Sequence, residues 1–134
     1  PGEPLMPMIK IASGGELARI MLSLKSVLNE CDGIGTAVFD EIDTGTSGDV
    51  ADRVGAIMKE MSSGMQVIVI THLPQIASKG DVHFKVYKEE TDLEMTTNIK
   101  GLTSSEKIEE IAGMLSGAEI TKEALQNARV MLGV

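Results

Sequence analysis

The stretch TAVFDEIDTGTSG, residues 36–48, contains a short apolar run that ends in two adjacent acids, Asp40 and Glu41. An apolar run of this length is typical of a buried strand in a parallel sheet, so a strand is predicted to end at Asp40. The small residues that follow predict a loop. Apolar residues at three- and four-residue steps then predict a helix over residues 50–61.

Downstream, QVIVIT (residues 66–71) predicts a second buried strand, and His72 follows it directly. The strand–helix–strand order predicts an α/β fold with a parallel sheet core flanked by helices. In open sheets of this class, ligands bind at the carboxyl ends of the strands. We therefore expect Asp40, Glu41 and His72 to meet at one edge if the two strands are neighbours.

An Asp-Glu pair after an apolar strand suits nucleotide hydrolysis. Mg²⁺ prefers oxygen ligands and keeps several waters, so Asp40 is expected to hold it, through water, beside phosphates. Glu41 would orient or deprotonate the attacking water, and His72 would hydrogen-bond the terminal phosphate. Each feature taken singly also has a structural explanation, namely an acidic pair in a solvated turn and a hydrogen-bonded loop histidine.

Upstream, SGGELARIMLSLK begins at Ser13 and carries apolar residues at helical spacing, which predicts a helix over residues 16–30. Ser13 and Glu16 have the spacing of a capping box, in which each side chain bonds the other residue's backbone N–H. A capping box leaves Gly14 and Gly15 unexplained. A helix start with bare backbone is also a natural anion site, because its N–H groups are free and the helix dipole is positive there. Both interpretations stay open on spacing alone.

Beyond Gly80 the pattern changes. Alternation of apolar and polar residues over 82–89 and 94–101 predicts a β-hairpin of half-exposed strands. Thr103 and Glu106 form a second capping-box pair in front of a helix, and a last helix is predicted over residues 121–132. A hairpin and helices are thus expected to follow the α/β part, with residues 1–134 forming a single lobe.

The amino-acid composition argues against direct nucleic-acid binding and against a membrane-spanning role. The chain has 134 residues, a net charge of −8, no Trp, one Tyr and two Phe, so it lacks the basic face of a direct nucleic-acid binder. No apolar run approaches the roughly 20 residues that cross a membrane, and no membrane partner is expected. The single cysteine, Cys31, excludes an internal disulfide and suits a reducing cytoplasm.

Three motifs together resemble the head of an ABC-type ATPase, which is a P-loop NTPase fold. SGGELARIMLSLK resembles the signature motif, TAVFDEIDTGTSG the Walker B strand with its D-loop, and VIVITHLPQIAS the switch-histidine loop. Within that superfamily the chain is most similar to the SMC-like branch, and there to the RecN family of bacterial DNA double-strand-break repair ATPases. The tail VYKEETDLEMTTNIKGL strengthens this likeness, which covers nearly the whole chain; Ala12 stands where the signature motif usually has Leu.

The resemblance implies a shared nucleotide site. Ser13, Gly14 and Gly15, with Glu16 in the same motif, would bind the γ-phosphate of ATP held by a second head in an ATP-dependent dimer. Asp43, in the D-loop, would signal across that dimer. The resemblance assigns Asp40 to Mg²⁺, Glu41 to the catalytic base and His72 to the switch, as the spacing does.

The sequence contains no G-x-x-x-x-G-K-[ST] loop, which would cradle the β- and γ-phosphates. The family places that Walker A loop near the start of the full protein, before a long coiled coil. The chain is therefore expected to be the C-terminal half of a head, inactive alone and completed by an N-terminal half. DNA would be bound through the full-length protein, in the bacterial cytoplasm at the nucleoid.

Three alternatives remain at this point. The residues after Gly80 could dock a partner, which would make the chain a non-catalytic interaction module. A metal-dependent hydrolase could use Asp40, Glu41, Asp43 and His72 without nucleotide, although that leaves the two glycines unexplained. The head could also belong to another SMC-like ATPase.

Overall fold

The computed structural model describes residues 7, 12–28, 35–40, 42–46, 48–90, 95–117 and 119–134, with residues 25–28 described by their backbone only. The chain divides into two compact units, Pro1–Ile76 and Ala77–Val134. The first unit holds α1 (Gly14–Leu28), β1 (Thr36–Asp40), α2 (Gly48–Met61), β2 (Gln66–Ile70) and most of the one-turn helix α3 (Pro74–Ala77). The second unit holds β3 (Phe84–Glu90), β4 (Met95–Gly101), α4 (Ser104–Ser116) and α5 (Lys122–Leu132).

Strands β1 and β2 are parallel neighbours, as the sequence predicts. Their register pairs Thr36 with Gln66 at one end and Asp40 with Ile70 at the other. The strand–α2–strand order makes this pairing possible, since parallel strands need a crossover that is usually helical. Gly45, in the loop before α2, and Gly48, the first residue of α2, have φ of 72° and 53°, a backbone conformation that glycine adopts without steric penalty.

One face of this sheet packs on the core of the first unit. Phe39, Val67 and Val69 lie against a buried cluster from α1, α2 and the loops, formed by Leu22, Ile42, Ala51, Val54, Met58, Met61 and Ile76. The cluster members on α2 recur at helical spacing, which places them on the face that meets the sheet. The buried face of α2 and the inward-facing side chains of β1 and β2 therefore form one apolar layer.

The opposite face of the same sheet is exposed and carries three apolar side chains. Val38 is 62% exposed, Ile68 44% and Ile70 55%. Because side chains alternate between the faces of a strand, these three residues share one surface. The first unit therefore has an exposed apolar patch on this face of its sheet.

In the second unit, helices α4 and α5 pack through small residues. Ile111, Ala112, Ala124 and Ala128 form a buried cluster, and alanines allow the two helices to approach closely. Thr103 caps α4 in a complete capping box with Glu106, which confirms that prediction. Thr121 caps α5, and its side chain accepts a hydrogen bond from the Ala124 N–H.

Strands β3 and β4 form the predicted antiparallel hairpin, but its strands are more exposed than the half-exposed strands expected from alternation. Phe84, Val86 and Ile99 lie on one face and are exposed. On the other face Lys85 lies opposite Lys100, and these lysines bind Glu110 and Glu106 of α4. The polar face is therefore held by charge, and the apolar face is uncovered within this unit.

The helix boundaries differ slightly from expectation. Helix α1 begins at Gly14 rather than Glu16, because glycine is tolerated in a first turn that Ser13 caps; residues 29 and 30 of the predicted helix lie outside the described residues. Among the described helices, none has the length and apolar character that a membrane crossing requires.

Candidate active site

The carboxyl edge of the β1–β2 sheet collects the predicted site residues. Asp40 ends β1 and lies level with Ile70, the last residue of β2, so Thr71 and His72 leave the sheet at the same edge. Asp40 is exposed there, and so is His72. Glu41, the predicted catalytic base, lies outside the described residues.

Asp43 is the centre of a hydrogen-bond cluster at this edge. Its Oδ2 accepts hydrogen bonds from the Thr71 hydroxyl at 2.5 Å and from the His72 N–H at 2.9 Å. The same oxygen lies 3.0 Å from Nδ1 of His72. The Thr71 Oγ1 in turn accepts a bond from the Leu73 N–H at 3.0 Å, which fixes the turn after β2.

The Asp43 carboxylate is buried, and these hydrogen-bond donors take the place of water around it. Burial raises the pKa of this carboxyl, and the hydrogen bonds from Thr71 and from the His72 backbone, with the nearby imidazole, lower it by more. The net pKa is below the ordinary value, so the group stays ionised at neutral pH. A buried carboxylate of this kind needs its donors, because an unpaired buried charge is strongly unfavourable.

The start of α1 contains the predicted capping box. The Ser13 N–H donates to Oε2 of Glu16 at 2.8 Å, the Ser13 hydroxyl donates to the same atom at 2.9 Å, and the Glu16 N–H reaches Ser13 Oγ at 3.4 Å. The bonds from the backbone and side chain of Ser13 lower the pKa of Glu16. Ser13 is exposed, so its hydroxyl is accessible, but a ligand would have to draw it away from Glu16.

The two glycines of this helix start differ in their surroundings. A Cβ added to Gly14 would meet no atom within 4 Å, so the space beside it is open. A Cβ on Gly15 would lie 2.3 Å from the carbonyl oxygen of Thr44. The Arg19 guanidinium donates to that carbonyl at 3.1 Å. Gly15 is thus required for close contact between α1 and the loop after β1.

A bound Mg²⁺ would have few protein ligands. Within the described ranges, no group of three or more His, Cys, Asp or Glu side chains forms a metal cluster. Asp40 offers one exposed carboxylate at the strand end, and Mg²⁺ usually takes one or two carboxylates with waters and phosphate oxygens. Asp40 is therefore a carboxylate of the kind that Mg²⁺ takes together with waters and phosphate oxygens.

Comparison with known proteins identifies the relatives of the chain. It is 43% identical over 132 residues to the DNA repair protein RecN of Halalkalibacterium halodurans, which is 98% of this chain and 23% of that protein. It is 48% identical over 132 residues to RecN of Rickettsia conorii, covering 98% and 24%. For RecN of Bacillus subtilis the identity is 43% over 131 residues, covering 98% and 23%.

The chain is homologous to the C-terminal part of RecN. It spans 23–24% of the length of these RecN relatives. No family model matches it. A solved structure from work on ATP-driven dimerization and DNA-stimulated activation of SMC ATPases has the same fold, with a TM-score of 0.59 and 22% identity, covering 83% of this chain and 66% of that one. The expected resemblance to RecN and the expected α/β fold are confirmed.

The structure adds three residues of this RecN homologue that sequence reasoning missed. The sequence places Thr71 beside His72 at the end of the second strand but indicates no role for it, although its hydroxyl donates to Asp43. Thr44 and Arg19 were not considered, although they join the loop after β1 to α1. A threonine or arginine next to a motif is too common a signal to single out, and their partners are distant in sequence.

Proposed function

We propose that the chain is the C-terminal lobe of an ATP-hydrolysing head in a RecN-like bacterial DNA double-strand-break repair protein. The observation that carries this proposal is the β1–β2 register, since it brings Asp40 level with the end of β2, just before His72. The identity of 43–48% to RecN proteins over 98% of the chain supports the same assignment.

The start of α1 would bind the γ-phosphate of ATP held by a second head. The Ser13 hydroxyl is exposed, and the Gly14 and Gly15 amides lie in the first helical turn, whose N–H groups have no partner within the helix. The open space at Gly14 lets a phosphate approach the backbone. Glu16 would set the conformation of Ser13 through the capping box.

The sheet edge would supply the hydrolytic groups. Asp40 would hold Mg²⁺ through water, and the bound ion would neutralise charge on the phosphate oxygens. Glu41, next along the chain, would act as general base on the attacking water. His72 would contact the terminal phosphate, and Asp43, which is buried beside His72, would couple this edge to a second head.

The head requires partners that supply what this chain lacks. An N-terminal half with a Walker A loop would hold the β- and γ-phosphates and cover the apolar face formed by Val38, Ile68 and Ile70. DNA would be contacted by other parts of the protein, because the net charge of −8 disfavours direct binding. The site of action would be the bacterial cytoplasm, at the nucleoid.

The test is Glu41→Gln in the ATP-hydrolysing parent protein. Loss of the general base should lower kcat by roughly 100-fold or more, because proton transfer by a positioned group contributes about that much. ATP binding should persist, so ATP-bound head dimers should accumulate in size-exclusion chromatography with light scattering. Glu60→Gln, which removes the same charge from an exposed site on α2, is the matched control and should leave kcat unchanged.

The isolated 134-residue chain gives a second comparison in the same assay. Without a phosphate-binding loop it should show no ATP turnover at millimolar nucleotide. Full activity of the Glu41→Gln parent would contradict the proposal and favour an interaction module. Robust hydrolysis by the isolated chain would contradict the division of the site between two halves.

A further inference from the structure

We propose that Asp43 is a positioning residue that holds Nδ1 of His72, so that Nε2 is the ring nitrogen presented to the nucleotide or to its attacking water. The nucleotide in this statement rests on the proposed ATPase function. The contact between Asp43 and His72 lies within the first unit and needs no nucleotide.

The proton on the His72 ring can be placed from the chemistry of the two contacting atoms. Oδ2 of Asp43 lies 3.0 Å from Nδ1, which is hydrogen-bond distance. An ionised carboxylate presents only lone pairs to that nitrogen, so this close approach favours the neutral ring form that carries its hydrogen on Nδ1. The other nitrogen, Nε2, is then a lone-pair acceptor in the neutral ring and becomes a donor only when the ring gains a second proton.

Asp43 and His72 differ in burial, and therefore in whether their side chains can contact a ligand. The side chain of Asp43 is 2% exposed, whereas that of His72 is 76% exposed. The carboxylate therefore cannot reach a ligand itself, while the outer edge of the imidazole can. Asp43 acts on a ligand only through the ring that it orients, as does the group that orients the base in a catalytic triad.

Thr71 fixes the carboxylate for this task. Its hydroxyl and the His72 N–H both donate to the oxygen that faces Nδ1, so the Asp43 side chain is tied at two further points. A carboxylate fixed in this way holds the imidazole plane as well as its tautomer. The cluster is thus arranged to present Nε2 in one direction.

The second histidine of the chain provides an internal reference. Nε2 of His83 lies 3.1 Å from the carbonyl oxygen of Gly80, and a carbonyl only accepts, so Nε2 must carry the hydrogen. Burial lowers the pKa of His83, which favours the neutral form of its ring. The structure therefore assigns opposite tautomers to the two histidines that the sequence contains.

The experiment is a long-range proton–nitrogen NMR spectrum of the imidazole rings in the nucleotide-free, ¹⁵N-labelled 134-residue chain, recorded as the pH is raised until both rings are neutral. His72 should show the pattern of a ring protonated at Nδ1, and His83 that of a ring protonated at Nε2. Because no nucleotide is present, this result can fail while the ATPase assignment stands, and the reverse also holds.

Asp43→Ala should abolish the preference of His72 for a proton on Nδ1 and leave the His83 pattern unchanged. Asp49→Ala, which removes an exposed aspartate of the same unit, is the matched control and should change neither ring. If Asp43→Ala does not fold, the spectrum of the unaltered chain decides alone. A His72 ring protonated at Nε2 in that chain, or an unchanged His72 pattern in folded Asp43→Ala, would overturn the proposal.

Discussion

Replacement of Gly15 by alanine tests the close contact between α1 and the loop after β1. The new Cβ would lie 2.3 Å from the Thr44 carbonyl oxygen, 3.3 Å from its carbon and 3.1 Å from Nη1 of Arg19. Ordinary contact begins near 3.4 Å, so the helix and the loop must separate by roughly 1 Å. The obstacle is backbone, which cannot rotate aside as a flexible side chain would.

The expected loss of stability follows from opposing terms. Overpacking a filled site costs about 1–3 kcal/mol, and the Arg19 hydrogen bond to Thr44, worth about 1 kcal/mol, is strained. Alanine in place of glycine in a helix returns at most about 1 kcal/mol. We therefore expect Gly15→Ala to lower the free energy of unfolding by about 1–3 kcal/mol.

Urea unfolding of the 134-residue chain, followed by far-ultraviolet circular dichroism, measures this loss. Gly14→Ala is the matched control, since its Cβ would meet no atom within 4 Å, and it should be neutral or up to about 1 kcal/mol more stable. The reasoning is refuted if the two variants unfold at the same urea concentration with equal slopes, because the Thr44 contact would then not constrain the site.

Two further predictions concern the second unit. The ion pair with Lys100, and then the bonds from Thr103, lower the pKa of Glu106 from 4.5 to about 2. Its contribution to stability is present above pH 4.5 and is lost as the pH falls through about 2, so the stability difference between the unaltered chain and Glu106→Gln should shrink over that window; a constant difference in acid titration would contradict this. Ile111 is fully buried between α4 and α5, so Ile111→Ala should lower the free energy of unfolding by about 2–5 kcal/mol. The exposed Val130→Ala should stay within about 0.5 kcal/mol, and equal thermal midpoints for these two variants would show that the cluster is not a core.

The elements of the first unit were predictable because their signals are local. The strand that ends at Asp40 was placed correctly from its apolar run and the acid that closes it. The parallel pairing with β2 followed from the strand–helix–strand order. The capping boxes at Ser13 and Thr103 were visible as pairs three residues apart, and both are present.

The contacts that shape the site were not predictable in the same way. Gly15 was interpreted only as a place for a phosphate, because its neighbour Thr44 is far along the chain and nothing local indicates the approach. Asp43 was assigned a role in a dimer by resemblance, and that role stays a prediction. Its partners Thr71 and His72 become visible only when the two strands are paired.

The hairpin shows a second limit of prediction from the sequence. Alternation in the sequence correctly predicts two strands, but it does not say which face is covered. The polar face is the one engaged within this unit, through Lys85 and Lys100, while Phe84 and Ile99 remain exposed. Two lysines opposite each other would repel, and the two glutamates of α4 remove that repulsion.

The two ion pairs between the hairpin and α4 make this attachment sensitive to ionic strength. Exposed ion pairs contribute about 0–1 kcal/mol each, and this contribution becomes smaller at high salt. Added salt should loosen the pairs that join Lys85 to Glu110 and Lys100 to Glu106, while the strand pairing and the α4–α5 cluster, which involve no net charge, persist. The attachment of the hairpin to α4 should therefore be weaker at high ionic strength than at low ionic strength.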